Sequence, residues 1–213
     1  MLRHLFTIIC LFTSYLSISQ FTEISTEEEI FIIQEGCLWG NGASFYDYNH
    51  DGWDDLTTAD GSDFVRFYEN TGDGHFQTST INLNIAFTGQ IVGVLWLDIE
   101  NDGDEDLLIT QNMGRVLLFV NDGNFNYTEC AVASGLPSQS YFHFGISAAD
   151  YDNDGFIDFT IAKYYNPTIQ GGFEYTSRLY HNDGDGTFTD VTATSGLLAT
   201  PKNNIYVQFS RLQ

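Results

Sequence analysis

Asp150-Tyr151-Asp152-Asn153-Asp154-Gly155-Phe156-Ile157-Asp158 is one of three versions of a single acidic phrase in this chain. The other two are Asp47-Tyr-Asn49-His-Asp51-Gly52-Trp53-Asp-Asp55 and Asp98-Ile-Glu100-Asn-Asp102-Gly103-Asp104-Glu-Asp106. From Asp47 to Asp98 is 51 residues, and from Asp98 to Asp150 is 52. A fixed interval of this length marks a repeated structural unit, so the chain is read as an array.

Within the phrase, oxygen donors stand at positions 1, 3, 5 and 9 around a glycine at position 6. In a tightly curled loop the donors at 1, 3 and 5 converge on one point, and glycine permits the positive φ that the curl needs. Position 7 offers its carbonyl, which lets its side chain be Trp53, Asp104 or Phe156. The acids at position 9 close the shell. The expected ligand sets are therefore Asp47, Asn49, Asp51, Trp53 and Asp55; Asp98, Glu100, Asp102, Asp104 and Asp106; and Asp150, Asp152, Asp154, Phe156 and Asp158. An all-oxygen set without His or Cys suits calcium, because zinc and copper favour nitrogen and sulfur and magnesium keeps more of its waters. Up to three calcium ions are expected. The first loop, with Asn49 in place of a carboxylate, is expected to lose its ion first.

The competing reading is that these are solvated Asp-Gly turns without metal. Against it, 14 of the chain's 29 acidic residues fall in these three short loops, and unneutralised charge at that density repels itself. An EF-hand is excluded, since it needs a bidentate Glu at position 12, where this chain has Thr58, Ile109 and Ile161. Each loop leads directly into a short β-prone run, Leu56-Thr-Thr-Ala, Leu107-Leu-Ile-Thr or Phe159-Thr-Ile-Ala, so the loops connect strands.

A second phrase keeps time with the first: Tyr68-Glu-Asn70-Thr-Gly72-Asp-Gly74-His-Phe76, Phe119-Val-Asn121-Asp-Gly123-Asn-Phe125 and Tyr180-His-Asn182-Asp-Gly184-Asp-Gly186-Thr-Phe188. Each puts a Gly-rich turn between β-prone stretches. A unit thus runs strand, acidic loop, strand, turn, strand, hairpin, strand. In the third copy the strands are predicted near Phe142 to Ala149, Phe159 to Lys163, Ser177 to Asn182 and Phe188 to Thr192, with a longer loop in Tyr164 to Thr176. Four antiparallel strands at this period make a β-propeller blade, and an all-β protein of about three full blades plus partial blades at both ends is expected. Repeats are placed at roughly 36–90, 91–141 and 142–200, with partial strands in 21–35 and 201–213. Small residues such as Gly93, Gly145, Ser147 and Ala148 suit crowded strands near the axis. Phe76, Phe125 and Phe188 are expected to pack between blades.

Composition agrees with a secreted all-β protein: Lys and Arg total 7, net charge is -22 and aromatics reach 15%. Such charge argues against nucleic acid and anionic membranes as partners. Residues 1–19 have the pattern of a signal peptide, with Arg3 and His4 before an apolar run to Leu16 and Ser17-Ile-Ser19 before Gln20. That run is too short for a membrane span. Residues 20–213 then form the repeat array, with Cys37 and Cys130 expected as free thiols and a sequon at Asn126-Tyr-Thr128.

The phrases resemble those of the FG-GAP or VCBS repeats, found in integrin alpha-subunit propellers and in many secreted bacterial proteins. The residues carrying the likeness are Phe144-Gly145-Ile-Ser-Ala-Ala-Asp150 through Asp158 and Asn182-Asp-Gly-Asp-Gly-Thr-Phe-Thr-Asp-Val191. The resemblance implies calcium on positions 1, 3, 5 and 9 of each loop with the position-7 carbonyl. It also implies functions ranging from adhesion to accessory domains of enzymes. The chain resembles a truncated member: Phe209-Ser-Arg211-Leu-Gln213 aligns with Phe45-Tyr-Asp47-Tyr-Asn49, so it stops where a fourth loop would open. Histidines 4, 50, 75, 143 and 181 form no recognisable triad or zinc spacing, and His50 at position 4 is expected to point outward. A non-enzymatic module binding an extracellular protein or carbohydrate is expected. The alternative is a scaffold or fragment of a propeller-type enzyme such as a polysaccharide lyase.

Overall fold

The computed structural model describes residues 30, 42–60, 64–164 and 177–197. The expected signal peptide, Cys37, the partial strands 21–35 (residue 30 apart) and 201–213 and residues 165–176 of the long loop lie outside the described residues. The described chain is twelve β-strands with no α-helix. They fall into three consecutive four-strand units. The first is β1 (Ala43–Tyr46), β2 (Asp55–Asp60), β3 (Phe64–Asn70) and β4 (Phe76–Thr78). The second is β5 (Gln90–Leu97), β6 (Asp106–Gly114), β7 (Leu117–Asn121) and β8 (Tyr127–Glu129). The third is β9 (Tyr141–Ala149), β10 (Asp158–Tyr164), β11 (Arg178–Asn182) and β12 (Phe188–Asp190). All neighbours within a unit pair antiparallel in chain order. Each acidic loop joins the first and second strands of its blade, and each Gly-rich phrase joins the third and fourth.

The first strands line up as the innermost layer, β1 against β5 and β5 against β9. Gly93 on β5 shows why small residues are required there. A Cβ at this position would lie 2.5 Å from Thr110 Oγ1 and 3.3 Å from the Phe144 carbonyl oxygen on β9, too close for any side chain. This is the arrangement of propeller blades around an axis, three of them among the described residues.

Blade two shows how the period of two on a strand builds the packing. Leu107 and Ile109 on β6 and Leu117 and Phe119 on β7 face blade one, in a cluster with Tyr48, Phe67 and Trp96. Leu108 and Leu118, one residue out of phase, face blade three beside Phe159, Ile161 and Phe188. Side chains on alternate faces of one sheet thus fill two interfaces. Trp96 centres the first, stacked on Tyr48 at 5.0 Å between ring centroids and donating its Nε1–H to Thr57 Oγ1 at 2.9 Å. The hydrogen bond satisfies the one polar atom that burying the indole would strand.

Blades two and three share one sheet: β6 and β9 are each nine residues long, and their ends pair through Asn112 with Phe142 and Gly114 with Tyr141. Met113, between these rungs, takes a left-handed φ of 65° and is exposed, so the ladder bulges where the strands splay. Phe125, in turn, does not pack between blades; it is 48% exposed at φ 59° inside the second hairpin. That hairpin has no second glycine, and counting six residues from its Asn121, as from Asn70 to Phe76 and Asn182 to Phe188, reaches Tyr127. Tyr127 opens β8 and meets Trp96 edge-on at 6.1 Å. Phe188 does sit between blades, its N–H donating to the Ser134 carbonyl of blade two at 2.9 Å. Phe76 is half-buried against Phe45 within its own blade.

Candidate metal centres in the acidic loops

Each loop is wound by its own side chains. The position-1 carboxylates receive two backbone N–H groups: Asp47 from Asp51 and Gly52 at 3.0 and 2.8 Å, Asp98 from Asp102 and Gly103 at 3.1 and 2.9 Å, and Asp150 from Asp154 and Gly155 at 3.1 Å each. The position-5 acids Asp51, Asp102 and Asp154 each accept the N–H two residues on, from Trp53, Asp104 and Phe156. These contacts span only two to five residues, which explains why spacing alone reveals the loop. Position 6 has φ of 94°, 90° and 96° at Gly52, Gly103 and Gly155. Position 4 is also left-handed, at 59°, 56° and 64° for His50, Asn101 and Asn153, a second constraint that the ligand spacing does not announce. Asn tolerates this region better than most residues.

The position-9 acids differ from the rest of the loop. Asp55, Asp106 and Asp158 open the second strand of each blade and are 0%, 1% and 0% exposed. Each accepts a hydrogen bond on Oδ1 from the asparagine that begins the hairpin phrase: Asn70 N–H at 2.8 Å, Asn121 at 2.9 Å and Asn182 at 2.8 Å. The same asparagines reach back with Nδ2 to the carbonyls of Asp54, Glu105 and Ile157. The two phrases that recur along the chain are thereby stapled together. Asp106 and Asp158 accept a second bond on Oδ2, from the N–H of Ile99 and Tyr151 at 3.0 Å each. In the first loop the matching N–H, of Tyr48, turns instead to the Tyr46 carbonyl, and Asp55 Oδ2 is left buried with no hydrogen-bond partner.

Burial is the main cause that raises these acids above the usual carboxylate range, Asp55 to about 6 and Asp106 to about 7, with acids of the same loop adding repulsion. Asp158 moves the same way for the same reason, opposed by its two backbone donors. Glu100 is raised too, by burial first and by Asp102 and Asp98 next.

Convergence of the predicted ligands is not equal in the three loops. Oxygens of Asp150, Asp152 and Asp154 lie within 4.8 Å of one another, and so do ligand atoms of Asp152, Asp158 and His181. Among the described residues no such triple of acidic or imidazole groups forms in the first or second loop. Asn49 supplies an amide oxygen in the first, which its Asp51 N–H contact already engages at 2.9 Å. In the second, Glu100 leans toward blade three, with Oε1 3.6 Å from where a Cβ on Gly186 would stand. The position-7 side chains are not idle: Trp53, Asp104 and Phe156 cover Gly72, Gly123 and Gly184 of their hairpins, where a Cβ would come within 2.5 to 2.9 Å of them. His50 is exposed. His181, which no spacing along the chain marks, lies over the third loop, with Nδ1 3.2 Å from Asp158 Oδ1 and 3.4 Å from Asp152 Oδ2. One local signal does point to it: it precedes Asn182, and the residue before that asparagine is held beside the loop by the staple.

The donor set fits a hard divalent ion. An orphaned buried oxygen on Asp55 and carboxylates that burial drives toward protonation are what a site built to be neutralised by a cation leaves when considered alone.

The FG-GAP-like repeat model matches twice, at residues 47–109 and 98–161, together more than half of the 213 residues. The chain belongs to the FG-GAP-like repeat family. No characterised protein matches it significantly in overall sequence. A solved structure of an Agrocybe aegerita lectin, described as specifically recognising non-reducing terminal N-acetylglucosamine, is similar at a TM-score of 0.42 and 19% identity, covering 70% of this chain and 36% of that one. The chain thus matches little more than a third of that lectin's length. Among the described residues no helix is long and apolar enough to cross a membrane.

Proposed function

We propose that this protein is a secreted calcium-binding propeller-repeat module, in which up to three calcium ions order the loops and the ordered face binds an extracellular protein or carbohydrate. The observation that carries the reading is the fully buried Asp55 with one carboxylate oxygen unpartnered, at a position where the other two blades also bury an acid. A buried unpaired carboxylate costs several kcal/mol unless it is protonated or meets a cation. The loop around it offers Asp47, Asn49 and Asp51 as further donors, with the position-7 carbonyl. Asp98, Glu100, Asp102 and Asp106, and Asp150, Asp152, Asp154 and Asp158, would hold the other ions. The ion would supply charge neutralisation and loop order, and no bond chemistry.

A surface for the partner adjoins the first loop. A groove of about 640 Å³ runs between blades one and two, lined by Asn49, Asn82, Asn84, Asn124, Asn126 and the exposed ring of Phe125 among others. Amides beside an open aromatic ring match the hydroxyls and apolar face of a sugar, so carbohydrate is the partner class to test first.

Titration calorimetry with calcium on the metal-free full chain is expected to fill up to three sites. At free calcium 100 times the dissociation constant of one site, linkage predicts about 2.7 kcal/mol of stabilisation over chelator. Identical unfolding in calcium and in chelator would overturn the reading. Glycan-array binding that calcium strengthens would support the partner assignment, and a blank array would redirect it to proteins.

A further inference from the structure

We infer that the third loop carries, beside the all-oxygen set of Asp150, Asp152 and Asp154, a mixed nitrogen and oxygen centre of His181, Asp152 and Asp158 that takes a borderline transition ion such as zinc. The inference rests on reading these loops as cation sites and gives one of them a second kind of ion.

The geometry around His181 is that of a coordination shell rather than of a hydrogen bond. Nδ1 is sealed from solvent and makes no hydrogen bond, although it stands 3.2 Å from Asp158 Oδ1 and 3.4 Å from Asp152 Oδ2. An ion with bonds of about 2.0 to 2.1 Å to tetrahedral ligands separates those ligands by about 3.3 to 3.4 Å. The two edges from Nδ1 to the carboxylates are therefore already spaced as in such a shell, with the Asp152 and Asp158 oxygens within 4.8 Å of each other. Asp158 Oδ1 accepts only the Asn182 N–H and keeps a second lone pair for a metal. Tyr151 packs on the ring edge-to-face at 6.2 Å, and Asp154 and Asp183 oxygens stand 3.9 and 4.0 Å from its Nε2, beyond hydrogen-bond reach but on the side where a metal-bound imidazole finds a carboxylate.

Nitrogen sets this centre apart from the all-oxygen set. Calcium and magnesium are oxygen-seeking, whereas imidazole suits zinc, cobalt and nickel. The equivalent residue is Glu69 in blade one, where Gln77 and Ser79 donate to its carboxylate, and Val120 in blade two. Only the third loop has an imidazole there.

The test titrates the metal-free full chain with Zn2+, with Co2+ as a visible-absorbing substitute, and separately with Ca2+. Wild type is expected to bind Zn2+ and to show a Co2+ ligand-field spectrum. His181→Val, the residue of blade two, and His181→Gln should each weaken Zn2+ binding at least tenfold. As a readout free of substitutions, Zn2+ should shift the His181 imidazole resonances of wild type in NMR. Equal Zn2+ affinity in wild type and variants, or unshifted His181 resonances, would overturn the inference. Calcium binding without a His181-dependent zinc site would sink this centre alone; a His181-dependent zinc site with no calcium binding anywhere would sink the proposed function and leave this centre standing.

Discussion

The first and third loops trace the same backbone, with positions 4 and 6 at φ 59° and 94° in one and 64° and 96° in the other, yet they present different chemistry. In the third, Asp158 is engaged on both oxygens by backbone N–H groups, and a histidine from β11 closes over Asp152. In the first, Asp55 has one engaged and one orphaned oxygen, and an amide replaces the position-3 acid. The turn and the donor set are therefore specified separately. Position 1 and the position-6 glycine wind the loop, while position 3 and the residue before the hairpin asparagine set which donors face it.

Removing the position-9 acid from each loop in chelator should separate the two most sharply. Asp158→Ala strands the buried N–H of Asn182 and the part-buried N–H of Tyr151, and Asp55→Ala strands only the part-buried N–H of Asn70. At about 1 to 3 kcal/mol for each stranded group, the third-loop change should cost more by about that amount in urea unfolding. Equal losses would mean that the two loops are equivalent and that the orphaned oxygen is immaterial.

A smaller effect lies in the pH dependence of stability without metal. Asp55 rises from 3.8 to about 6 on folding, so between those values the folded chain holds a proton that the unfolded chain has released. Stability from this group is therefore greatest below about 4 and is lost as pH rises to about 6. Asp55→Asn should reduce that decline, leaving the part that Asp106, raised to about 7, contributes. Calcium should abolish it, and a slope that neither changes would assign it elsewhere.

The smallest expected effect is a shared one. Gly52→Ala and Gly155→Ala meet no atom within 4 Å, so each is strained by its φ alone and should cost about 1 to 2 kcal/mol. Unequal costs would break the claim that the two loops have one backbone.

Much of this was legible in the sequence because its causes are local. The third-blade strands predicted from Phe142, Phe159, Ser177 and Phe188 begin within one residue of β9 to β12. The hairpin of blade two is misleading because it lacks one glycine: the nearest aromatic, Phe125, stands where a packing residue is expected, whereas the register gives that place to Tyr127. His181 escapes a search for metal spacing along the chain, because its partners Asp152 and Asp158 are brought to it by the pairing of β10 with β11.

By itself the sequence determined the repeat, the blade order and the winding of each acidic loop, since all of these follow from contacts between residues two to five apart and from the strand period of two. Only the tertiary structure decided how those pieces lock. Asn182 donates to the Ile99 carbonyl of the neighbouring blade at 2.8 Å across 83 residues of chain, and Trp96 finds Thr57 across 39. No spacing rule encodes such partners, because they exist only once burial has pressed one blade against the next.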